Sequence, residues 1–514
     1  MRRQDIQLLA SARQGDLAAR CEIGRRYLLG TDGFSRHPAQ GLQYLSHPSL
    51  AGSKMASAII AESLPLHDIV GLGQLSVLTA AAKAGNADAQ IKLGLWTFLT
   101  NIDPAACTRW WEMAAAQRPA ARYALAALAD MGSARVAGVL HCFAEEPWIC
   151  GAALMPQVLA EALRAADGTL LSLAMNFALE CQPGTSAELA DATCAALKVA
   201  QALPRFGMCC PSGRIEALLE SCVQRGSSDA ALLLGRALCG FDSGALSASS
   251  LTTGRNLRRG AALLLRAADA GAQEAWELLY CVHADNHTSV ANPQMARFFL
   301  EKAAVAGNVS AQRRLGALIL RAGATLYESE RGIHWLYEAA RQGDAHSIGL
   351  LCSLMLPVVG LDEEANDAID TVRRHDPWMA CRLRTARDFA LTKLEALSVD
   401  IVSGLRAWGL VVGANPFIHQ AKLAAPRAIP ALTPEAAQNL RRSVAFLQQA
   451  RRDGAPLEGD LRKRSVRLRH LLRRYGLDES LFFAQASSTE LHTLRQGTKW
   501  AFRARQPLRM ALAA

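Results

Sequence analysis

The 514-residue sequence lacks the motifs by which several classes of enzyme are recognised. It contains no P-loop, no H-E-x-x-H zinc motif and no G-x-S-x-G nucleophile elbow. Carboxylates are scattered without a pairing that suits acid–base chemistry. We therefore predict a protein that is not an enzyme, with no catalytic residues, no cofactor and no metal site.

Long apolar runs are also missing. The longest charge-free apolar stretch worth testing, residues 347–361, contains Pro357 and is shorter than the ~20 residues that span a bilayer. The apolar residues near the N-terminus are interrupted by Arg13 and Asp16, which argues against a secretory signal. We expect a cytoplasmic protein, and the Ala-, Leu- and Arg-rich composition is typical of bacteria.

Cysteine is present without a pattern. The 13 cysteines are odd in number and irregularly spaced, and no C-x-x-C pair occurs. Several lie in apolar helical stretches, such as Cys239 and Cys352, which predicts buried free thiols in a reducing compartment. The vicinal pair Cys209–Cys210 beside Pro211 leaves a redox or metal role open, with weak support.

One small cluster resembles a metal site. Cys281, His283 and His287 lie close in sequence, but a zinc site needs three or four ligands and the polar residues around His287 predict a loop. The tryptophans at repeat positions are predicted to be core residues rather than ligand-stacking ones: Trp96, Trp110, Trp111, Trp276 and Trp335.

What the sequence does contain favours helices. Hydrophobic residues make up 51% and charged residues 20%, whereas aromatic residues make up only 6%. Alanine and leucine dominate, which favours helix over strand and argues against disorder. A chain of this length exceeds one compact core, so several domains or an elongated array are expected.

The net charge of +10 is unevenly distributed. Residues 1–400 carry 37 Lys and Arg against 39 Asp and Glu, whereas residues 401–514 carry 19 against 7. The basic character therefore belongs to the C-terminal quarter, and any attraction to an anionic partner is expected there.

A repeated skeleton, A-A-x-x-G-x-x-x-A-x-x-x-L-G, runs through the chain. Successive turn glycines are 36 residues apart from Gly271 to Gly307 and from Gly307 to Gly343. The positions predicted to carry the repeat are Gly85, Ala89, Gly94, Gly226, Gly235, Gly271, Ala275, Gly307, Ala311, Gly316 and Gly343. Such a period is typical of stacked supersecondary units.

The skeleton has a physical basis. The alanine pair ends one helix with small side chains, and the glycine that follows suits a left-handed C-terminal cap. The next alanine and leucine fall on one helix face, and the second glycine allows close packing between helices. We therefore predict that the turn glycines lie between helices and that Ala89, Ala275 and Ala311 are buried. Stacked helix pairs would then share a continuous core.

Two segments carry a more specific motif. Residues 23–30, with Gly24, Tyr27 and Gly30, read as L-G-x-x-Y-x-x-G, with Ile23 in place of the leucine. Residues 333–343, with Trp335 and Gly343, contain W-x-x-x-A-A-x-x-G. These residues resemble the SEL-one-like repeat family, a subclass of the tetratricopeptide-like α/α repeats.

The resemblance covers roughly residues 12–130 and 225–360, and residues 131–224 are interpreted as degenerate repeats. It implies a right-handed superhelix whose concave face binds a protein or peptide, as in adaptor proteins. The absence of a regular cysteine pair in each repeat agrees with a cytoplasmic location.

The C-terminal quarter departs from the repeats. Residues 409–430, rich in glycine and proline, are predicted to be a loop or boundary. Thr433, followed by Pro434, and Asp460 are predicted to cap two helices. The second helix has an apolar stripe formed by Leu461, Leu468, Leu472 and Tyr475.

The rest of that second helix is strongly basic. Its candidate anionic-partner surface comprises Arg462, Lys463, Arg464, Arg467, Arg469, Arg473 and Arg474. Three interpretations remain open: a solvated face, a site for an acidic protein, or a site for nucleic acid or an anionic membrane. No recognised nucleic-acid-binding motif accompanies these residues.

Taken together, the sequence predicts an all-α superhelical solenoid with a basic helical C-terminal region. The predicted divisions are repeats in 1–130, degenerate repeats in 131–224, repeats in 225–361, a helical extension and loop in 362–432, and the basic region in 433–514. The predicted function is a scaffold that binds a protein or peptide on the concave face. The alternative is a regulator that associates with nucleic acid or a membrane through the basic helices.

Overall fold

A computed structural model describes residues 3–101, 104–129, 135–144, 146–182, 184–207, 210–413, 426–453, 458–494 and 498–513. Helices dominate these residues and many of them pack as consecutive pairs, so the predicted all-α repeat class is confirmed. Contacts divide the chain into two compact units, Met1–Ala275 and Trp276–Ala514. The finer five-part division stays a prediction.

Unit 1 contains seventeen described α-helices and a 3-10 helix at Pro48–Leu50. The bounds are α1 Arg3–Arg13, α2 Leu17–Leu29, α3 Pro38–Leu45, α4 Lys54–Ser63, α5 Leu66–Gly71, α6 Leu75–Lys83, α7 Ala87–Thr100, α8 Pro104–Ala114, α9 Pro119–Leu128, α10 Arg135–Cys142, α11 Gly151–Ala165, α12 Gly168–Cys181, α13 Ala187–Ala200, α14 Ser212–Gln224, α15 Ser228–Leu238, α16 Ala248–Leu251 and α17 Leu257–Asp269.

The described helices of unit 2 begin with α18, which starts two residues before the boundary, and a 3-10 helix lies at Glu479–Leu481. The bounds are α18 Glu274–Ala284, α19 Pro293–Val305, α20 Val309–Ala322, α21 Leu326–Arg341, α22 Ala345–Cys352, α23 Asp362–Arg373, α24 Pro377–Asp388, α25 Lys393–Ser398, α26 Ile401–Gly404, α27 Pro434–Arg452, α28 Leu461–Tyr475, α29 Ser488–Thr493, α30 Thr498–Arg503 and α31 Arg505–Ala513.

The turn glycines organise the helix pairs. We call the helix that follows a turn glycine a first helix and the helix that precedes it a second helix. After most of these glycines, the next residue caps the first helix, because its side chain accepts a hydrogen bond from a backbone N–H of the first turn. The capping residues are Asp16, Asn86, Ser227, Asn308 and Asp344.

A small antiparallel sheet interrupts the helices of unit 2. Its strands are β1 Leu405–Arg406, β2 Gly409–Val412 and β3 Arg427–Pro430, with Leu410 opposite Ile429. The prediction of a loop over residues 409–430 is therefore wrong at both ends. Every residue of β2 and β3 is buried, and their apolar side chains pack into the cores of unit 2. Residues 414–425 lie outside the described part of the chain.

The C-terminal helices begin where the sequence indicated. Thr433 caps α27 with Pro434 at the first helical position, and Asp460 caps α28. Gly476 ends α28 in the left-handed conformation, at φ 62°. Leu440 of α27 and Leu468 of α28 belong to one buried core with α23 and α24. The region is thus folded onto the helical extension of its own unit. None of the described helices is both long enough and apolar enough to cross a membrane.

Candidate protein-binding faces

The predicted turn glycines lie between helices. Gly85, Gly226, Gly271, Gly307 and Gly343 have φ angles of 94°, 97°, 101°, 92° and 89°. A side chain is strained at such angles, so each position selects glycine. The alanines that follow, Ala89, Ala275 and Ala311, are buried.

The second glycine of the skeleton lies where two helices cross. A β-carbon on Gly94 would come within 2.3 Å of Nε1 of Trp111, and one on Gly316 within 2.8 Å of the Gly332 carbonyl oxygen. Gly24 lies similarly against Leu45, and Gly235 against the backbone of Leu264. These crossings bring α2, α7 and α20 against the next helix, and α15 against α17.

The remaining repeat positions are structural as well. Gly30 ends α2 in the left-handed conformation, at φ 71°. Tyr27 packs edge-on against Phe34, with ring centroids 4.9 Å apart. Trp335 packs, partly buried, against the core formed by α19 and α20.

Two first helices share a pair of polar contacts, made by an asparagine and a glutamine, that was not predicted from the sequence. Asn86 caps α7 and donates from Nδ2 to Glu62 at 2.8 Å, and Gln90 donates to the Ala82 carbonyl at 3.0 Å. The signal was available, since Asn follows the turn glycine and Gln follows the buried alanine in both repeats.

The same device recurs in unit 2. Asn308 caps α20 and donates to Glu277 at 2.7 Å, and Gln312 donates to the Ala304 carbonyl at 3.2 Å. A buried amide that bridges to the end of the preceding helix fixes the turn between second and first helix.

The outward sides of these two first helices are covered. No residue of α7, and none from 309 to 320 of α20, is exposed. Helices α11 and α12 contact α7, whereas α30 and α31 contact α20. At these two helices, the outward side is occupied by other helices of the chain itself.

The cover of α20 and α22 consists of the C-terminal helices. Ala504, Leu508 and Ala511 are buried in one core with Leu320 of α20 and Leu351 of α22. They stand four and three residues apart, so they form one helix stripe.

Two polar contacts fix this cover. Trp500, which is fully buried, donates from Nε1 to Oγ of Ser353 at 3.0 Å. Arg313 donates from Nε to the Ala511 carbonyl at 3.0 Å and from Nη1 to Asp344 at 2.7 Å. The Arg313 side chain is 6% exposed, so its charge depends on both acceptors.

Helix α7 itself carries a buried lysine. Lys92 donates from Nζ to the carbonyls of Ala61 and Leu64 at 2.5 and 2.8 Å, at the end of α4. Trp148 lies beside it, with Nζ 5.6 Å from the ring centroid. Burial lowers the pKa of Lys92 to about 8.

The cations of the basic helix α28 fall into two groups in the tertiary structure. Arg464 donates to the Leu397 carbonyl and pairs with Glu458 at 3.4 Å, and Arg467 pairs with Asp376 at 2.5 Å. Both are partly buried. The five exposed members of the predicted surface are Arg462, Lys463, Arg469, Arg473 and Arg474.

An open groove of about 1090 Å³ lies among α23, α24 and α27. Its lining includes four arginines and four acids: Arg373, Arg384, Arg387, Arg442, Asp362, Asp370, Asp388 and Glu435. Asn439 donates to Asp388 at 3.1 Å, yet burial raises the pKa of Asp388 to about 6. The balanced charges do not select a ligand of either sign.

The suggested metal cluster is not assembled. His283 bonds to the Val290 carbonyl at 2.8 Å and packs on Phe299, while His287 lies in the loop after α18. Within the described residues no group of three His, Cys, Asp or Glu side chains is placed to hold a metal.

The cysteines are free thiols among the described residues, and Cys209 of the vicinal pair lies outside them. Cys239 is buried, whereas Cys352, predicted to be buried, is exposed at the end of α22. Of the tryptophans, Trp111 is fully buried, and Trp96, Trp110, Trp276 and Trp335 are partly buried.

Comparison with known proteins gives a limited likeness. No family model and no curated protein matches the chain. One similar solved structure is a protective antigen present in uropathogenic Escherichia coli strains displaying an SLR fold. It is 16% identical, the match covers 94% of this chain and 98% of that one, and the TM-score is 0.28.

A second similar structure is a Sel1 repeat protein from Oxalobacter formigenes. It is 19% identical, the match covers 66% of this chain and 88% of that one, and the TM-score is 0.23. Both are Sel1-repeat (SLR) proteins, the family that the sequence motifs resemble. Because both TM-scores are low, the helix-pair assignment rests on the turn glycines, caps and crossings described above.

Proposed function

We propose that the chain is a non-catalytic scaffold that binds a protein or peptide along its first helices. The observation that carries the proposal is the docking of α30 and α31 on α20 and α22. A face that holds one amphipathic segment through an apolar stripe and a buried arginine has the chemistry for binding helices.

Site-specific photo-cross-linking in the full chain tests this proposal. A photoreactive residue replaces Ile348 of α22 or Met55 of α4, which are exposed positions on first helices. Helix α4 is a first helix because it follows Gly52, at φ 76°, and is capped by Ser53. The matched controls replace Tyr327 of α21 and Leu265 of α17, which are exposed positions on second helices. All four are expressed in the source cell and illuminated before lysis.

We expect one protein to be cross-linked from the first-helix positions and not from the controls. Equal cross-linking from all four positions would place the partner elsewhere. The absence of any protein cross-linked at the first-helix positions would contradict the scaffold proposal.

A second candidate function rests on α28. We propose, as the alternative, that its five exposed cations bind an anionic partner. The observation that favours it is that none of the five forms an ion pair within the described part of the chain. Close like charges are most stable when a partner or salt screens them.

The test replaces Arg462, Lys463, Arg469, Arg473 and Arg474 by glutamine. The control removes five exposed charges elsewhere in unit 2: Lys302, Arg321, Arg374, Arg441 and Arg452. Binding is measured against salt for three probes: an acidic peptide, a single-stranded oligonucleotide and phosphatidylserine vesicles.

We expect the first variant to lose at least half of the salt dependence for one probe, which names the partner class. Equal loss in the control variant would show a general charge effect. Unchanged binding of all probes would show that the helix is merely solvated.

A further inference from the structure

The C-terminal helices differ from the other helices that pack on the first helices. Residues 498–513 form one layer: Trp500, Leu508 and Ala511 are buried, whereas Phe502 and Met510 on the same segment are 80% and 52% exposed. Arg505 and Arg509 are also exposed. The segment is therefore buried on one side, where it packs on α20 and α22 in a core that also holds Trp408, Val411 and Ala428.

We propose that the face of α20 and α22 is a helix-docking site whose resident occupant is the segment 498–513. In its place the site accepts a helix of a partner protein with the same chemistry. This inference rests on the proposed scaffold function and names the class of partner, and it makes the resident segment a competitor of that partner.

The stripe defines the first requirement on an incoming helix. Ala504, Leu508 and Ala511 fall on one face at spacings of four and three, with small residues at both ends. Small side chains let the helix axis approach closely, and Leu508 lies in the same buried core as Leu350 and Leu351. A partner helix needs the same small–large–small stripe.

Arg313 defines the second requirement. The last backbone carbonyls of a helix have no N–H donor within the helix, so they can accept a hydrogen bond from another group. Ala511 is the third residue from the end of α31, and its carbonyl accepts from Arg313. A buried guanidinium that loses an acceptor is destabilised. The face therefore selects a helix that places a backbone carbonyl within reach of Arg313.

The length of the occupant argues that it can be exchanged. Helix α31 has nine residues and α30 has six, and isolated helices this short are not stable in water. Their order depends on docking, so undocking releases a chain that loses helical structure. A partner helix that is longer, or already ordered, would compete with the resident segment.

The decisive variants lie on the same short helix. Leu508→Asp places a carboxylate in the apolar core and is expected to undock the segment. Met510→Asp, two residues away, adds the same charge at an exposed position and is the matched control. The probe is a fluorescent peptide of residues 498–513 from this chain, added to the full chain.

We expect the probe to bind the Leu508→Asp chain at least ten times more tightly than the wild-type or Met510→Asp chain, where the site is occupied. A probe that itself carries Leu508→Asp is expected not to bind. Equal binding of the probe to all three chains, or no binding to any of them, would overturn the proposal.

Hydrogen exchange separates undocking from unfolding. In the Leu508→Asp chain, exchange should accelerate in residues 498–513 while α20 and α22 stay protected. Loss of protection in α20 would show that the segment is part of the permanent core and would overturn the proposal. Because the probe is the chain's own segment, a negative cross-linking result with a positive probe result would reject the scaffold function alone.

Discussion

Helices α7 and α20 are equivalent first helices in two repeats, one in each unit, and they are built alike. Each begins at an asparagine cap after a turn glycine, each carries a buried glutamine that bonds to the preceding helix, and each crosses the next helix at a glycine. Their surroundings differ. Helices of 15 and 14 residues cover α7, and a nine-residue helix covers α20.

The same local repeat structure is therefore found beneath two different kinds of cover. The cover of α7 is continuous with the middle of unit 1, because the Trp148 carbonyl accepts from the backbone of Leu66 and Gln157 donates to the His67 carbonyl. The cover of α20 is a single peripheral segment. The proposed exchange of residues 498–513 therefore applies to the cover of α20 and not to that of α7.

The largest expected effect concerns the glycine crossings. Trp111→Ala should destabilise unit 1 by about 3–5 kcal/mol, and Leu336→Ala should destabilise unit 2 by about 2–5 kcal/mol, because each leaves a cavity against a crossing glycine. Urea unfolding gives the total loss, and hydrogen exchange of α7 and α20 locates it. Trp110→Ala, which truncates the partly buried neighbour, should cost clearly less. Equal losses for Trp110 and Trp111 would contradict the packing described.

The next effect concerns the buried lysine. Lys92→Met should cost about 1–3 kcal/mol, because the carbonyls of Ala61 and Leu64 lose their donor. Arg314, at the equivalent position of α20, is 3.9 Å from Glu277 and less buried, so Arg314→Met should cost under about 1 kcal/mol. Urea unfolding of both variants at pH 7 is the measurement. A larger loss for Arg314→Met would reverse the comparison.

The same lysine predicts a pH dependence. Its pKa in the folded chain is lowered to about 8 from 10.5, so the unfolded chain binds more protons between these values. The free energy of unfolding contributed by Lys92 should therefore rise as pH increases from 8 to 10.5. Parallel pH profiles for the wild-type and Lys92→Met chains would refute this.

A smaller effect is expected in the open groove of unit 2. Burial raises the pKa of Asp388 from 3.8 to about 6, so its contribution is most favourable below pH 3.8 and is lost as pH rises to 6. Asp388→Asn should stabilise the protein by about 1–2 kcal/mol at pH 7 and by nearly nothing near pH 4. Asp362→Asn, in the same groove but exposed, is the control, and equal stabilisation by it would count against burial as the cause.

The smallest expected effect tests whether the asparagine caps of α7 and α20 stabilise the two units equally. Asn86→Ala and Asn308→Ala should each cost about 1 kcal/mol and should do so equally, since each loses a cap and a bond to a glutamate. Thermal unfolding followed by circular dichroism measures the loss. A cap that costs nothing in one unit would show that the two turns are stabilised differently.

Local chemistry explains what the sequence could predict of the fold. The helices, the turn glycines and the caps at Thr433 and Asp460 depend on residues within one turn of each other, so their pattern is readable from neighbours alone. The strands β2 and β3 were not foreseen, because their pairing joins residues on either side of a segment rich in glycine and proline.

The candidate faces were predicted less well. In the sequence, the seven cations of the basic helix could not be distinguished from one another. In the structure, Arg467 forms an ion pair with Asp376, 91 residues away, and Arg464 donates to the carbonyl of Leu397, 67 residues away. The exposed position of Cys352 was missed for a related reason: an apolar stretch predicts burial of a helix but not which side of it faces solvent.

The sequence by itself determined that this protein consists of stacked helix pairs, because a spaced set of glycines, alanines and caps acts through contacts of a few residues. Only the tertiary structure decided which first helices are covered by other parts of the chain. That outcome depends on contacts between segments far apart in sequence, such as the hydrogen bond from Arg313 to the carbonyl of Ala511, 198 residues away. Such a contact is stable only where apolar side chains are buried and the buried charge also has hydrogen-bond acceptors.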